Sequence, residues 1–194
     1  MELTFDLKEF VQKTKKIILK PKAFFKGVHK ETEWKVAFSY SIAIAIISSV
    51  LGILQLFILY PVLSSALPTV FEPGRTPAFL DLLPAFFMST VVVVALGFAW
   101  AWILHRWFWI IKMKGSYWDV YRAYTYSRAP LSILGWIPYL GGLFGLYGFY
   151  VLGVGISSYY KIPLKKALLL LLPPVAALFF VQTFLYIVAA GSTP

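Results

Sequence analysis

The sequence predicts an all-α membrane protein: a polytopic bundle of five transmembrane helices with an N-terminal amphipathic helix at the interface. Three observations predict it. Sixty per cent of the 194 residues are apolar and 13% are charged, against about 45–50% and about 25% in soluble domains, which leaves too little polar surface to coat a water-soluble globule. The apolar residues gather in runs near the roughly 20 residues that a bilayer crossing needs. When five such runs are counted, 17 of the 18 basic residues fall on one side of the membrane, as the positive-inside rule requires.

Residues 1–35 form a basic amphipathic segment, and residues 36–194 form the membrane domain. Leu7, Phe10, Val11, Thr14, Ile17 and Ile18 recur at spacings of three and four, and so share one helical face. Lys8, Lys13, Lys15 and Lys16 lie on the flanks and the opposite side. That pattern predicts a helix lying on the membrane with its lysines toward headgroups. Packing on the protein's own loops is the competing reading of the same face. Pro21 ends or kinks the helix after Lys20, and Phe24-Phe25 follow as an aromatic plug at the interface. The segment lacks the short apolar core and small-residue cleavage site of a secretory signal.

The first span, about 36–60, carries no charge and lies between Trp34 and Tyr60, where interfacial aromatics belong. Ser48 and Gly52 are a small-xxx-small pair that admits a neighbouring helix, and Gln55 reads as packing glue. A proline-rich loop covers 61–83, and Pro84 suits the first turn of the second span, about 85–109. His105, beside Arg106, reads as an interfacial histidine. Lys112 and Lys114 stand in a short basic turn that leads to the third span, about 119–137.

That third span is rich in tyrosine and holds Arg122 and Arg128. Arg122 can snorkel to the interface. Arg128 starts roughly 13 Å farther along than Asp119, at 1.5 Å per residue. It either reaches headgroups or turns inward to bond carbonyls freed by Pro130, which has no N–H to donate. An ionisable residue at depth is a functional-site hypothesis by default, and the structural role stands beside it.

Trp136-Ile137-Pro138 marks the far surface as a tight turn. The fourth span, about 139–160, opens with Gly141, Gly145 and Gly148 on one face, a pattern for close helix packing within the hairpin or between copies. Lys165 and Lys166 lie in the next basic loop. The last span, about 164–190, has Pro173-Pro174 near its middle, which predicts a kink with carbonyls left unpaired a turn earlier.

The basic segments 1–35, 105–128 and 161–166 therefore share one side, with only Arg75 opposite. The N-terminus is expected inside and the C-terminus outside. The same distribution points away from nucleic acid and toward anionic lipid as the partner of the charge. Zero cysteines and two histidines give no metal or thiol chemistry to build on, and no cofactor is expected. No span has an acid in its central part, and Ser127 followed by Arg128 lacks a base. The expectation is a protein that is not an enzyme: a scaffold working through helix association and lipid contact. A transporter or a transporter subunit for an unidentified solute is the alternative, motivated by Arg128 near Pro130 and by the tandem prolines.

The run Lys20-Pro21-Lys22-Ala23-Phe24-Phe25, followed by Trp34 and the first span, resembles the opening of the Yip (Ypt-interacting protein) domain family. The block from Gly115-Ser116 to Tyr126-Ser127 with Pro130, then Ile137-Pro138 and the glycine-rich fourth span, resembles its central signature. The resemblance covers about residues 20–190. In eukaryotic relatives it implies Golgi and ER vesicle traffic, contact with prenylated Rab GTPases and hetero-oligomers with similar proteins. This chain departs from them. Its first 35 residues are basic and lack the aspartate-leucine-tyrosine-glycine-proline stretch expected there, a departure that puts Rab binding in doubt. The resemblance implies a minimal prokaryotic-type member in a cell membrane.

Overall fold

A computed structural model describes residues 6–28, 31, 33–66, 82–137 and 140–191, and among these all regular structure is helical. The order is α1 Leu7–Leu19, α2 Pro21–Val28, α3 Trp34–Ala66, α4 Leu83–Ile110, α5 Tyr117–Ser127, α6 Ala129–Leu134, α7 Gly141–Tyr160 and α8 Leu164–Gly191. α5 packs among α3, α4 and α7; α6 lies against α3 and α7; α8 follows α7; α2 lies on α7, and α1 lies on α2 and α6. α3, α4 and α7 are each long and apolar enough to cross a membrane. Outward from α3 point Ile46, Val50, Leu54, Ile58 and Val62, a stripe at four-residue spacing. α4 adds exposed Phe87, Met88, Val91, Leu96 and Trp102. In water such a surface would be an association liability; in a bilayer it is the lipid face.

Helix ends follow from local chemistry. Asp6 caps α1 by accepting from the Lys8 and Glu9 amides at 2.8 and 3.4 Å. Pro84 occupies the first turn of α4, where its missing N–H costs nothing. Ser116 and Asp119 form a capping box that starts α5 at Tyr117, two residues before the expected start. α4 and α7 end on lysines in left-handed conformation, Lys112 with φ 59° and Lys161 with φ 52°.

Three expectations change. α3 runs through Pro61 to Ala66 rather than stopping at Tyr60, because outside water a helix is the arrangement that still satisfies the remaining backbone groups. The expected third span is two helices, of 11 and 6 residues, that meet at Arg128. Pro130 is the cause, since its ring nitrogen has no N–H to donate to the Tyr126 carbonyl four residues back. The amphipathic helix is not a peripheral layer either. Phe10, Thr14 and Ile17 are buried in the same core as α3 and α5, while Leu7, Val11 and Leu19 face outward. The turn expected at Pro138 and most of the proline-rich loop lie outside the described residues.

α5 and α7 run antiparallel in close register. A Cβ on Gly148 would come within 2.9 Å of the Ser127 carbonyl oxygen. One on Gly155 would come within 2.9 Å of Ala123 and 3.0 Å of Phe25. Between these glycines Val151, Leu152 and Val154 are buried. The tandem prolines of α8 lie inside a continuous helix. Pro174 cannot donate to the Leu170 carbonyl four residues back; the Trp107 indole N–H of α4 donates to that carbonyl instead, at 2.8 Å.

Candidate functional site

The polar groups of the N-terminal segment converge on α5 in a clasp. Glu31, between α2 and α3, accepts from the Lys13 Nζ at 2.5 Å and from the Tyr126 hydroxyl at 2.6 Å. The Lys13 ammonium also stands 4.9 Å from the Tyr126 ring centroid, a favourable place for a cation. One helical turn away from Phe10, Thr14 shares a hydrogen bond of 2.9 Å with the Tyr40 hydroxyl of α3. Tyr40 meets Tyr126 edge-on at 5.1 Å, and Phe24 meets Tyr126 edge-on at 5.0 Å. Three separate stretches, α1, the α2–α3 junction and α5, therefore share one cluster.

The Lys13 and Glu31 side chains keep only 12% and 25% of their exposure, so their pairing is stronger than a surface ion pair. Removing one partner strands the other in a partly dry place, at a cost of about 2–3 kcal/mol. α7 supplies further donors to helix ends. Its Tyr147 hydroxyl donates to the Ile18 carbonyl at 2.6 Å, and Ser158 donates to the Phe25 carbonyl at 3.3 Å. Both carbonyls lie in the last turns of α1 and α2, where intrahelical donors run out.

Among residues expected to meet headgroups, Lys8, Lys15, Lys16, Lys112, Lys114, Lys165 and Lys166 are exposed. Lys13 is not; it belongs to the clasp. Neither arginine snorkels. Arg122 is buried, with Asp119 at 3.1 Å. Arg128 turns inward, but the carbonyl it bonds is Val93 of α4, at 3.1 Å, and not one freed by Pro130. Its guanidinium lies 5.9 Å from the Tyr124 ring centroid.

The packing residues divide. Gly148 and Gly141 are tight, the latter because a Cβ would lie 2.9 Å from the Gly135 carbonyl oxygen. Among the described residues, nothing lies within 4 Å of a Cβ built on Gly52 or Gly145. On α3 the interhelical contact falls on Ser49, one residue beyond Ser48, whose hydroxyl accepts from Ser89 and Thr90 of α4 at 2.9 and 3.0 Å.

A family model, the Yip1 domain, matches residues 15–185. The chain belongs to the Yip1 domain family. No curated protein and no solved structure shows a significant match to it. As a Yip1-domain protein it is a membrane protein, in agreement with its three long apolar helices. Both stretches that carry the family likeness meet at the clasp of this Yip1 domain: Lys20–Phe25 supplies Phe24 and Phe25, and Gly115–Pro130 supplies Tyr126. Sequence reasoning missed Glu31 and Tyr126. Glu31 is one of two glutamates in a short basic stretch, with nothing to distinguish it from Glu33, and a tyrosine in an aromatic run carries no sign of its partner. Gly155 was missed too, although its spacing of seven from Gly148 on a helix places both on one face.

Proposed function

We propose that this Yip1-domain protein is a non-enzymatic scaffold of a prokaryotic cell membrane that organises other membrane proteins, or copies of itself, and contacts anionic lipid. It crosses the bilayer five times, N-terminus in the cytoplasm and C-terminus outside. The five passages are α3, α4, α5 with α6, α7 and α8. The third spans 18 residues from Tyr117 to Leu134, roughly 27 Å if straight.

One observation carries the scaffold reading: the polar groups inside the bundle join one element to another. Glu31 ties α1 to α5, Arg128 ties the α5–α6 joint to α4, and Trp107 ties α4 to α8. A transporter would use such groups on a moving pathway, and Arg128 is the residue on which the two readings differ. Proteoliposomes holding the full chain are expected to show no solute flux, and mild-detergent extracts to yield cross-linked partners or self-oligomers. Flux that disappears in Arg128→Leu, with the fold intact, would overturn the scaffold in favour of transport.

The topology has its own test, because the chain has no native cysteine. Lys114→Cys and Lys165→Cys are expected to react with an impermeant thiol reagent from one face, and Gly142→Cys from the other. Labelling of all three from the same face would remove the third and fourth crossings together.

A further inference from the structure

Two clefts flank α2, and their charges differ. The first, of about 320 Å³ between α1 and α2, is lined by Glu9, Lys13, Lys16 and Glu31 among others. Its charges balance, and Lys13 is already bonded to Glu31. The second, of about 220 Å³, lies between α2 and the α7–α8 corner and is lined by Lys22, Lys26, Val154, Ser157, Ser158 and Leu164. Among the described residues its lining holds two cations and no carboxylate. Lys22 and Lys26 are exposed, so they form its rim, while Val154 is buried and Leu164 is half-buried, so they form its floor. The hydroxyl protons point elsewhere: Ser157 donates to the Ile162 carbonyl at 2.6 Å and Ser158 to the Phe25 carbonyl at 3.3 Å. Anion recognition in this groove falls on the lysines.

We propose that the second groove is a binding site for one anionic phospholipid, with Lys22 and Lys26 holding the headgroup phosphate and Val154 and Leu164 meeting the apolar side of the glycerol backbone. A cationic rim over an apolar floor matches a molecule that is charged at one end and greasy at the other. A soluble anion would gain nothing from the floor. Farther along α8, Leu169 and Leu172 are exposed, so the helix that carries Leu164 also offers apolar surface to an acyl chain. The basic segment Lys161–Lys166 borders the site in sequence, which places it at the headgroup level of the proposed topology. The site rests on the anionic-lipid contact proposed above and narrows it from a diffuse basic surface to two named residues.

Native mass spectrometry of the full chain in detergent, titrated with phosphatidylglycerol or phosphatidylcholine, tests it. The expected result is one phosphatidylglycerol retained per chain, with affinity reduced about thirtyfold in Lys22→Ala/Lys26→Ala at about 1 kcal/mol per lysine. Lys22→Arg/Lys26→Arg is expected to restore it. Lys20→Ala/Arg106→Ala removes the same charge at two exposed positions elsewhere and is expected to leave the bound lipid in place. Equal loss in both alanine pairs, or no loss in the first, would overturn the site while leaving general anionic-lipid contact standing. Equal retention of the two lipids by the native chain would overturn the contact itself. Displacement of the lipid by millimolar inorganic phosphate alone would assign the groove to a soluble anion and so overturn the lipid proposal.

Discussion

The two ends of α7 contrast within one helix. From Gly148 onward it is closed in by the chain: Ser127, Ala123 and Phe25 come within a side-chain radius of its glycines, and residues 151–156 are all buried. Between Gly141 and Gly148 it is open: among the described residues nothing lies within 4 Å of a Cβ built on Gly142 or Gly145, and Leu143 and Leu146 are exposed at 62% and 71%. α3 repeats the contrast, with Tyr40 and Ile44 in the core and Gly52, Leu54 and Ile58 outside it. The half of the molecule that carries the lysines holds most of the buried aromatic and small residues. The other half offers small residues and an apolar surface to its surroundings. Stability therefore resides mainly at the basic end, and capacity for association at the opposite one.

The largest expected effect comes from filling the closed half. Gly155→Leu pushes a side chain into Ala123 and Phe25 and should lower unfolding free energy in detergent by about 3 kcal/mol. Gly52→Leu in the open half should stay within about 0.5 kcal/mol. Equal losses at both positions would erase the contrast. Next comes the clasp. Glu31→Ala leaves Lys13 and the Tyr126 hydroxyl without their shared acceptor and should cost about 2–3 kcal/mol. If a denaturant series finds Glu31→Ala indistinguishable from the native chain, the clasp contributes nothing.

A smaller loss is expected where the proline carbonyl is rescued. Trp107→Phe keeps the ring and drops the N–H, so the Leu170 carbonyl loses its donor; about 1 kcal/mol is expected, as for other interhelical bonds in membranes. Pro174→Ala returns a backbone donor to that carbonyl, so in its background the Trp107→Phe loss should shrink. An unchanged loss would detach the tryptophan from the proline. The least effect belongs to Lys161→Gly. It relieves a left-handed lysine but gives up a cation at the C-terminus of α7, two opposing contributions that should leave less than about 0.5 kcal/mol.

Much of the closed half was legible in the residues and some was not. The spacing of Phe10, Thr14 and Ile17 correctly gave an amphipathic helix. Periodicity names the apolar face of a helix, however, and not what covers it. Here the cover is Tyr40, Tyr126 and their neighbours rather than lipid alone. Lys13 looked like its neighbours Lys15 and Lys16 because charge pattern cannot see a partner eighteen residues away. The rule that a proline orphans a carbonyl held at Leu170, and only the tertiary structure shows that Trp107 answers it. Ser48 and Ser49 show the resolution of a face argument: one residue rotates a helical position by about 100°, enough to exchange a half-exposed hydroxyl for a packed one. Sequence reasoning overlooked the Ser116–Asp119 capping box and so starts the third span at Asp119, two residues late.

The central claim is that the apolar face of α1 is held by the bundle itself, through Phe10, Thr14 and Ile17, and not by lipid alone. Backbone hydrogen exchange of the native chain in detergent measures this directly, peptide by peptide. Amides from Phe10 to Leu19 should show protection comparable to those of α5, and Glu31→Ala should lower protection in α1 more than in α4. Exchange of α1 orders of magnitude faster than α5, unaffected by Glu31→Ala, would contradict the account and return the segment to the interface.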